Sequence, residues 1–148
     1  APQVDQAFGL NDLTAFMGSV DAVVVSLPLT PETTGIVNRA ALQAMRPDAV
    51  MINVGRGPVV EEQALFDALS TRQMGGAIID TWYQYPTPDR VECAPSKLDF
   101  AALDNVTLTP HMSGWTSGTV ARRQQTMADN IGRLCRGEAL VNVLKVAV

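Results

Sequence analysis

Two residues with chemically active side chains, Arg56 and His111, follow predicted strands in the same way. Arg56 lies in the glycine-flanked stretch NVGRG at residues 53–57, just after an apolar run. His111, the only histidine of the chain, follows a second apolar run and the dipeptide TP. A cation and an imidazole at two strand ends predict an active site, because a positioned imidazole transfers protons near neutral pH.

Four short apolar segments predict the strands that must position these side chains. The first is a continuous β-branched run, which is typical of a strand buried on both faces of a parallel sheet. The predicted strands lie at residues 21–27, 49–54, 76–81 and 105–109.

Apolar residues at helical spacing predict helices between and after these strands. One helix is predicted from the cap Asn38 to the residue before Pro47, a second opens with Glu61, and a third runs from about Thr116 to Arg136. Alternating strands and helices predict an α/β fold with a doubly wound parallel sheet, in which ligands bind beyond the carboxyl ends of the strands.

Pro28, Arg56, Asp80 and His111 all fall at or just beyond those predicted ends. Turns favour polar residues anyway, so any one of these positions is explained without a site. All four together favour a common site.

The composition fits one soluble domain that acts on small molecules. A hydrophobic content of 47%, a charged content of 18% and a net charge of -4 argue against nucleic acid or anionic membranes as partners. Cys93 and Cys135 form no CxxC pair, so we expect free thiols and no metal site. We expect a cytoplasmic protein, because no run of about 18 apolar residues and no signal peptide is present.

Four stretches carry a specific resemblance to a known family. They are LPLTPET at residues 27–33, NVGRG at residues 53–57, GAIID at residues 76–80 and TPH at residues 109–111. In this order and spacing they resemble the D-isomer-specific 2-hydroxyacid dehydrogenases. The resemblance extends from about Leu13 to Val143 and implies hydride transfer between NAD or NADP and a small acid such as glyoxylate or hydroxypyruvate.

The resemblance also implies roles for single residues. Arg56 would hold the substrate carboxylate through its planar guanidinium. His111 would exchange a proton with the substrate hydroxyl or carbonyl, and Asp80 would orient the nicotinamide carboxamide unless it merely caps its strand. The further residues implied in cofactor binding are Pro28 and Leu29 on the adenine side, Val54, Gly55, Ser113 and Gly114.

The sequence departs from the family at the partner of the histidine. Most members place a glutamate immediately before the proline of this loop, whereas this chain has Tyr85 before Pro86. A carboxylate favours the charged imidazole, while a phenol can only share a hydrogen bond. Formate dehydrogenases, which resemble this family, carry a glutamine there, and Gln84 is one residue away. We therefore predict that Tyr85, or a shifted Gln84, contacts His111.

A Gly-rich phosphate loop is absent from the sequence, so the chain resembles only part of an NAD(P)-binding domain, without a substrate lobe. The resemblance implies that two absent strands separate the first predicted strand from the second by roughly 14 Å. Either the two strands pair directly or another copy of the chain supplies the missing edges, and we predict a homo-oligomer. Cofactor binding by the chain alone should be weak or absent. Alternative functions are a formate-type dehydrogenase and a non-catalytic nucleotide-binding or assembly module.

Overall fold

The computed structural model describes residues 4–144, and backbone contacts divide these residues into two compact units, the first ending at His111 and the second beginning at Met112. The first unit contains three α-helices and a four-stranded sheet. Its helices are α1 (Leu13–Gly18), α2 (Arg39–Gln43) and α3 (Glu62–Ser70). Its strands are β1 (Ala22–Val25), β2 (Val50–Asn53), β3 (Gly76–Ile79) and β4 (Val106–Leu108).

The four strands are parallel and lie side by side in chain order, which confirms the predicted α/β fold with a parallel sheet. Helix α2 connects β1 to β2, and α3 connects β2 to β3. In register, Val25 pairs with Asn53, Asn53 with Ile79, and Ile79 with Leu108. All four strands therefore end at the same edge of the sheet, as the predicted site requires.

Local sequence signals account for where α2 and α3 begin. The side chain of Asn38 accepts a hydrogen bond from the backbone N–H of Ala41 at 3.0 Å, which caps α2. Helix α3 follows Glu61 and carries Glu62 in its first turn, where negative charge interacts favourably with the helix dipole. Helix α3 buries four side chains on one face, namely Ala64, Leu65, Ala68 and Leu69.

Among the described residues of the first unit, the hydrophobic core lies on one face of the sheet. Val23 and Val25 are each 4% exposed and join the buried faces of α2 and α3, whereas Val24 between them is 60% exposed. The prediction that this strand is buried on both faces is therefore wrong for the described residues. Val24, Ile52 and Ile78 form one row across the opposite face, which we call the open face.

Strands β1 and β2 pair directly along their whole length, from Ala22 opposite Val50 to Val25 opposite Asn53. Of the two arrangements left open by the sequence, direct pairing is the one found. The gap of two strands that the family resemblance implied is therefore closed in this chain, and an argument for oligomerisation based on that gap no longer applies.

Among its described residues, 112–144, the second unit contains a turn followed by one long helix, α4 (Ser117–Cys135). Thr116 caps this helix by accepting a hydrogen bond from the N–H of Thr119 at 3.1 Å. Gly137 follows the helix with a φ of 68°, a left-handed conformation that glycine adopts without strain. No helix in residues 4–144 is both long and apolar enough to cross a membrane.

Candidate active site

The loop after β2 presents Arg56 at the surface because Asn53 shapes its backbone. Asn53 is 1% exposed, and its amide oxygen accepts a hydrogen bond from the N–H of Gly55 at 3.1 Å. Its amide nitrogen donates to the carbonyl of Arg56 at 3.2 Å. The Arg56 guanidinium donates to the carbonyl of Gly55 at 2.7 Å and forms no ion pair with any described residue. An exposed guanidinium is thus left with donors for an external anion.

The two glycines beside Arg56 allow close backbone contacts with neighbouring strand ends. A Cβ added at Gly55 would lie 2.6 Å from the carbonyl oxygen of Leu27, beyond β1. A Cβ added at Gly57 would overlap the carbonyl group of Trp82, beyond β3. These contacts hold the Arg56 loop between the ends of β1 and β3, a packing reason for both glycines that the sequence pattern alone did not reveal.

His111 lies three residues beyond β4 and has an unusual backbone conformation. Its φ is 55°, in the left-handed region that non-glycine residues seldom occupy. Such strained residues cluster at functional sites, where the surrounding structure holds them in place.

Tyr85 is the residue that contacts His111. Its hydroxyl oxygen lies 2.9 Å from Nδ1 of His111 and accepts a hydrogen bond from the backbone N–H of Trp82 at 2.9 Å. Gln84 instead uses its backbone N–H to bond the carbonyl of Pro95 at 3.0 Å. The predicted contact is therefore confirmed for Tyr85, without a shift in register that would bring in Gln84.

Asp80 is buried at the end of β3, with 1% of its surface exposed. It accepts a hydrogen bond of 2.6 Å from the hydroxyl of Thr109, and the indole N–H of Trp82 donates to the carbonyl of Thr109 at 2.9 Å. These bonds join the ends of β3 and β4, so Asp80 has the strand-capping role considered from the sequence. Its role toward a cofactor stays a prediction. The sequence analysis missed Thr109 as a site-forming residue, although it stands in the TPH motif.

An aromatic cluster fixes the segment that carries Trp82 and Tyr85. The ring of Tyr83 stacks on Phe100, with centroids 6.4 Å apart and 14° between the planes, and Trp82 packs edge-on against the same ring. Burial, with a smaller contribution from the negative charge of Glu62, raises the pKa of the Tyr83 hydroxyl well above its ordinary value. The Tyr83 side chain therefore stays neutral. Phe100 was not identified from the sequence, because its long irregular loop has no periodicity.

The remaining predicted residues occupy two places. Pro28 and Leu29 are exposed just beyond β1, and Val54 donates its N–H to the carbonyl of Val25 at 3.0 Å. With Gly55, Arg56, Asp80, Tyr85 and His111, they belong to the first unit at the carboxyl edge of its sheet. Ser113 and Gly114 belong to the second unit, in the turn before α4.

Two negative expectations concern metals and disulfides. Within residues 4–144, no group of three or more His, Cys, Asp or Glu side chains could hold a metal ion. Cys93 and Cys135 are both free thiols, the first partly buried and the second exposed.

The parallel sheet, the exposed arginine and the Tyr-His pair all lie within one region of similarity to a known protein family. The family model described as D-isomer specific 2-hydroxyacid dehydrogenase, NAD binding domain, matches residues 2–113. The chain belongs to this family. The matched range includes every predicted site residue of this chain except Gly114.

Individual relatives of this chain are named for several activities. It is 45% identical over 109 residues to a hydroxyphenylpyruvate reductase of Plectranthus scutellarioides, covering 74% of this chain and 31% of the relative. It is 29% identical over 140 residues to a mitochondrial formate dehydrogenase of Hordeum vulgare, covering 93% of this chain and 35% of the relative. The chain thus spans about a third of the length of these curated relatives.

A solved structure supports the same assignment. It is a D-isomer specific 2-hydroxyacid dehydrogenase from Xanthobacter autotrophicus Py2 in complex with NADPH and MES, with a TM-score of 0.72 and 36% identity. The alignment covers 93% of this chain and 53% of that structure.

Proposed function

We propose that this chain is the cofactor-binding part of an enzyme that transfers hydride between NAD or NADP and a small 2-hydroxy or 2-oxo acid. The observation that carries the proposal is the placement of Arg56 and His111 three residues beyond β2 and β4. Only β3 separates these strands, so their ends lie about 10 Å apart. One small acid could therefore contact both side chains.

Arg56 is proposed to bind the carboxylate of the substrate. Its guanidinium is exposed, bears a charge at any physiological pH and presents donors in a planar fork that fits the two oxygens of a carboxylate. Binding at this position would fix the orientation of the adjacent carbonyl or hydroxyl carbon.

His111 is proposed to transfer the proton at the substrate oxygen. With Nδ1 engaged by Tyr85, Nε2 is the ring nitrogen left for the substrate. When bound, the nicotinamide cofactor supplies or accepts the hydride at the neighbouring carbon. A 2-oxo acid is supported as the substrate class by the 45% identity to a hydroxyphenylpyruvate reductase, and glyoxylate and hydroxypyruvate are the first candidates to assay.

The residues of this chain fit one side of a dinucleotide. The carboxyl edge of a parallel sheet is where such cofactors bind, and Pro28 and Leu29 offer exposed apolar surface suited to a base. Asp80 would act on the carboxamide, with Val54 and Gly55 as further contacts. Because the sequence has no GxGxxG stretch, the pyrophosphate lacks that loop's backbone donors here.

Formate oxidation is the second candidate, supported by the 29% identity to a formate dehydrogenase. Formate releases no hydroxyl proton, so that reaction needs no acid or base at the substrate oxygen. The contact of His111 with Tyr85 rather than with Gln84 favours the hydroxyacid reaction.

The proposal is tested in the gene product that contains this sequence, by following NADH and NADPH absorbance with each 2-oxo acid, and NAD reduction with formate. We expect turnover of a 2-oxo acid and none of formate. Replacement Arg56→Lys should raise KM for the acid by about tenfold to a hundredfold, since the planar fork is lost. Replacement His111→Gln should lower kcat by roughly 10² to 10⁴.

A matched control is Arg39→Lys, on α2, where Arg39 pairs with Asp67 at 2.7 Å. It should leave both constants unchanged. Turnover of formate alone, or an Arg56→Lys variant with unaltered KM, would overturn the assignment.

A further inference from the structure

The hydroxyl of Tyr85 is a junction between two groups of different kinds. The backbone N–H of Trp82 can only donate, and it points at the phenol oxygen over 2.9 Å. Nδ1 of His111, also 2.9 Å away, can either donate or accept, depending on where the ring carries its proton. The hydrogen bond donated by Trp82 therefore restricts which role, donor or acceptor, Nδ1 of His111 can take toward Tyr85.

We propose that Tyr85 holds neutral His111 in the tautomer with its proton on Nε2. The Trp82 N–H already occupies an acceptor site of the phenol oxygen, and the hydroxyl keeps one proton to donate. Donation of this proton to a bare Nδ1 satisfies all three groups. In the other tautomer, Nδ1–H would crowd a second donor onto the oxygen and leave the phenol proton without this acceptor.

A carboxylate at the same position would act in the opposite sense. It can only accept, so it selects a proton on Nδ1 and favours the imidazolium. With Tyr85 in place of a carboxylate, two hydrogen bonds between neutral groups replace an ion pair. The Trp82 N–H donates to the tyrosine oxygen, and the tyrosine O–H donates to Nδ1 of His111. The residue acts through His111 and is a positioning residue.

The consequence for reduction rests on the proposed function. As hydride reaches the carbonyl carbon, the Nε2 proton passes to the carbonyl oxygen while the Tyr85 proton passes to Nδ1. The imidazole stays neutral with its proton moved from Nε2 to Nδ1, and the negative charge resides on Tyr85, next to the Trp82 N–H. Tyr85 is 43% exposed, so water can return its proton. The alcohol gains one hydride, which a reduced nicotinamide would supply, and one proton, which solvent replaces at Tyr85, so charge balances.

The tautomer is measured directly by nitrogen-15 NMR of the chain, because His111 is its only histidine and needs no assignment. At a pH where the ring is neutral, we expect Nδ1 to resonate as an unprotonated nitrogen and Nε2 as a protonated one. In Tyr85→Phe, the preference for the Nε2 tautomer should fall by roughly fivefold to tenfold, the factor that one hydrogen bond supplies.

Two further variants keep this test decisive. Tyr85→Glu should move the proton to Nδ1, because a carboxylate can only accept. Tyr83→Phe removes a neighbouring hydroxyl that has no hydrogen-bond partner among the described residues, and it should leave the histidine spectrum unchanged. A wild-type spectrum with the proton on Nδ1, or a Tyr85→Phe spectrum identical to wild type, would overturn the proposal. The spectra do not depend on turnover, so they separate this inference from the assigned reaction.

Discussion

His111 combines a reactive side chain with a backbone φ of 55°. A left-handed backbone costs a residue with a Cβ roughly 1 to 2 kcal/mol, and glycine is free of this cost. The tertiary structure must supply that energy, and the bond from its side chain to Tyr85 helps to hold the residue in place. Histidine at this position therefore lowers the stability of the fold while it supplies the reactive imidazole.

This strain predicts a difference between two substitutions at His111. His111→Gly should be more stable than His111→Ala by about 1 kcal/mol in urea denaturation, since both remove the imidazole and only alanine keeps a Cβ. Arg72, with a φ of 58°, provides a matched pair away from the site. Arg72→Gly and Arg72→Ala should differ by a similar amount. Equal stability of the two His111 variants would show that the backbone there relaxes freely.

At the scale of elements, the site is assembled by contacts between strand ends. Gly57 brings the loop after β2 against the backbone of Trp82 after β3, and the hydroxyl of Thr109 bonds Asp80 across the ends of β3 and β4. The loops that carry Arg56, Tyr85 and His111 are thus fixed to one another by these contacts.

The contact at Gly57 predicts a cost for any added side chain. Gly57→Ala should destabilise the first unit by about 1 to 3 kcal/mol, because the new Cβ meets backbone atoms that cannot rotate away. Gly9→Ala is the control, since its Cβ would meet only the Asp12 carboxylate, at an ordinary 3.4 Å. The control should change stability by less than about 0.5 kcal/mol. A Gly57→Ala variant with wild-type stability in urea would contradict this packing.

For the whole molecule, the open face of the sheet gives the prediction of a homo-oligomer a different basis. The argument from a gap between strands is gone, but Val24, at 60% exposure, and Ile78, at 36%, lie in one apolar row. Uncovered apolar surface of this kind favours association.

We therefore predict that the chain self-associates at micromolar concentration in light scattering. Val24→Lys should raise the apparent dissociation constant by about tenfold or more, since burial of the row would then bury a charge. Thr14→Lys, on the exposed side of α1, adds the same charge elsewhere and should leave the mass unchanged. A wild-type protein that remains monomeric would exclude this mode of association.

Cofactor affinity is also set by the whole molecule. Loss of two charge-assisted contacts to a pyrophosphate weakens binding by roughly 10² to 10⁴. Titration of the chain with NADH, followed by the fluorescence of Trp82 and Trp115, should therefore give little or no saturation at micromolar cofactor. Tight saturable binding would show that this chain supplies phosphate contacts of its own.

The sequence by itself determined the chemical residues, the alternation of strands and helices, and the family. Apolar runs, caps and short motifs are local patterns, so they could be read directly for β1 to β4 and for Arg56 and His111. The resemblance placed Tyr85 at the position where the family has the partner of the histidine, with Gln84 one residue away.

Only the tertiary structure decided which groups meet. Tyr85, and not Gln84, contacts His111, because its phenol oxygen accepts a hydrogen bond from the Trp82 N–H and lies within hydrogen-bond distance of Nδ1 of His111. Burial on one face, direct pairing of β1 with β2, and the close approach at Gly57 depend on which distant segments are packed together. A local pattern fixes the conformation of a segment, whereas these contacts arise between segments far apart in the chain, and no periodicity in the sequence encodes them.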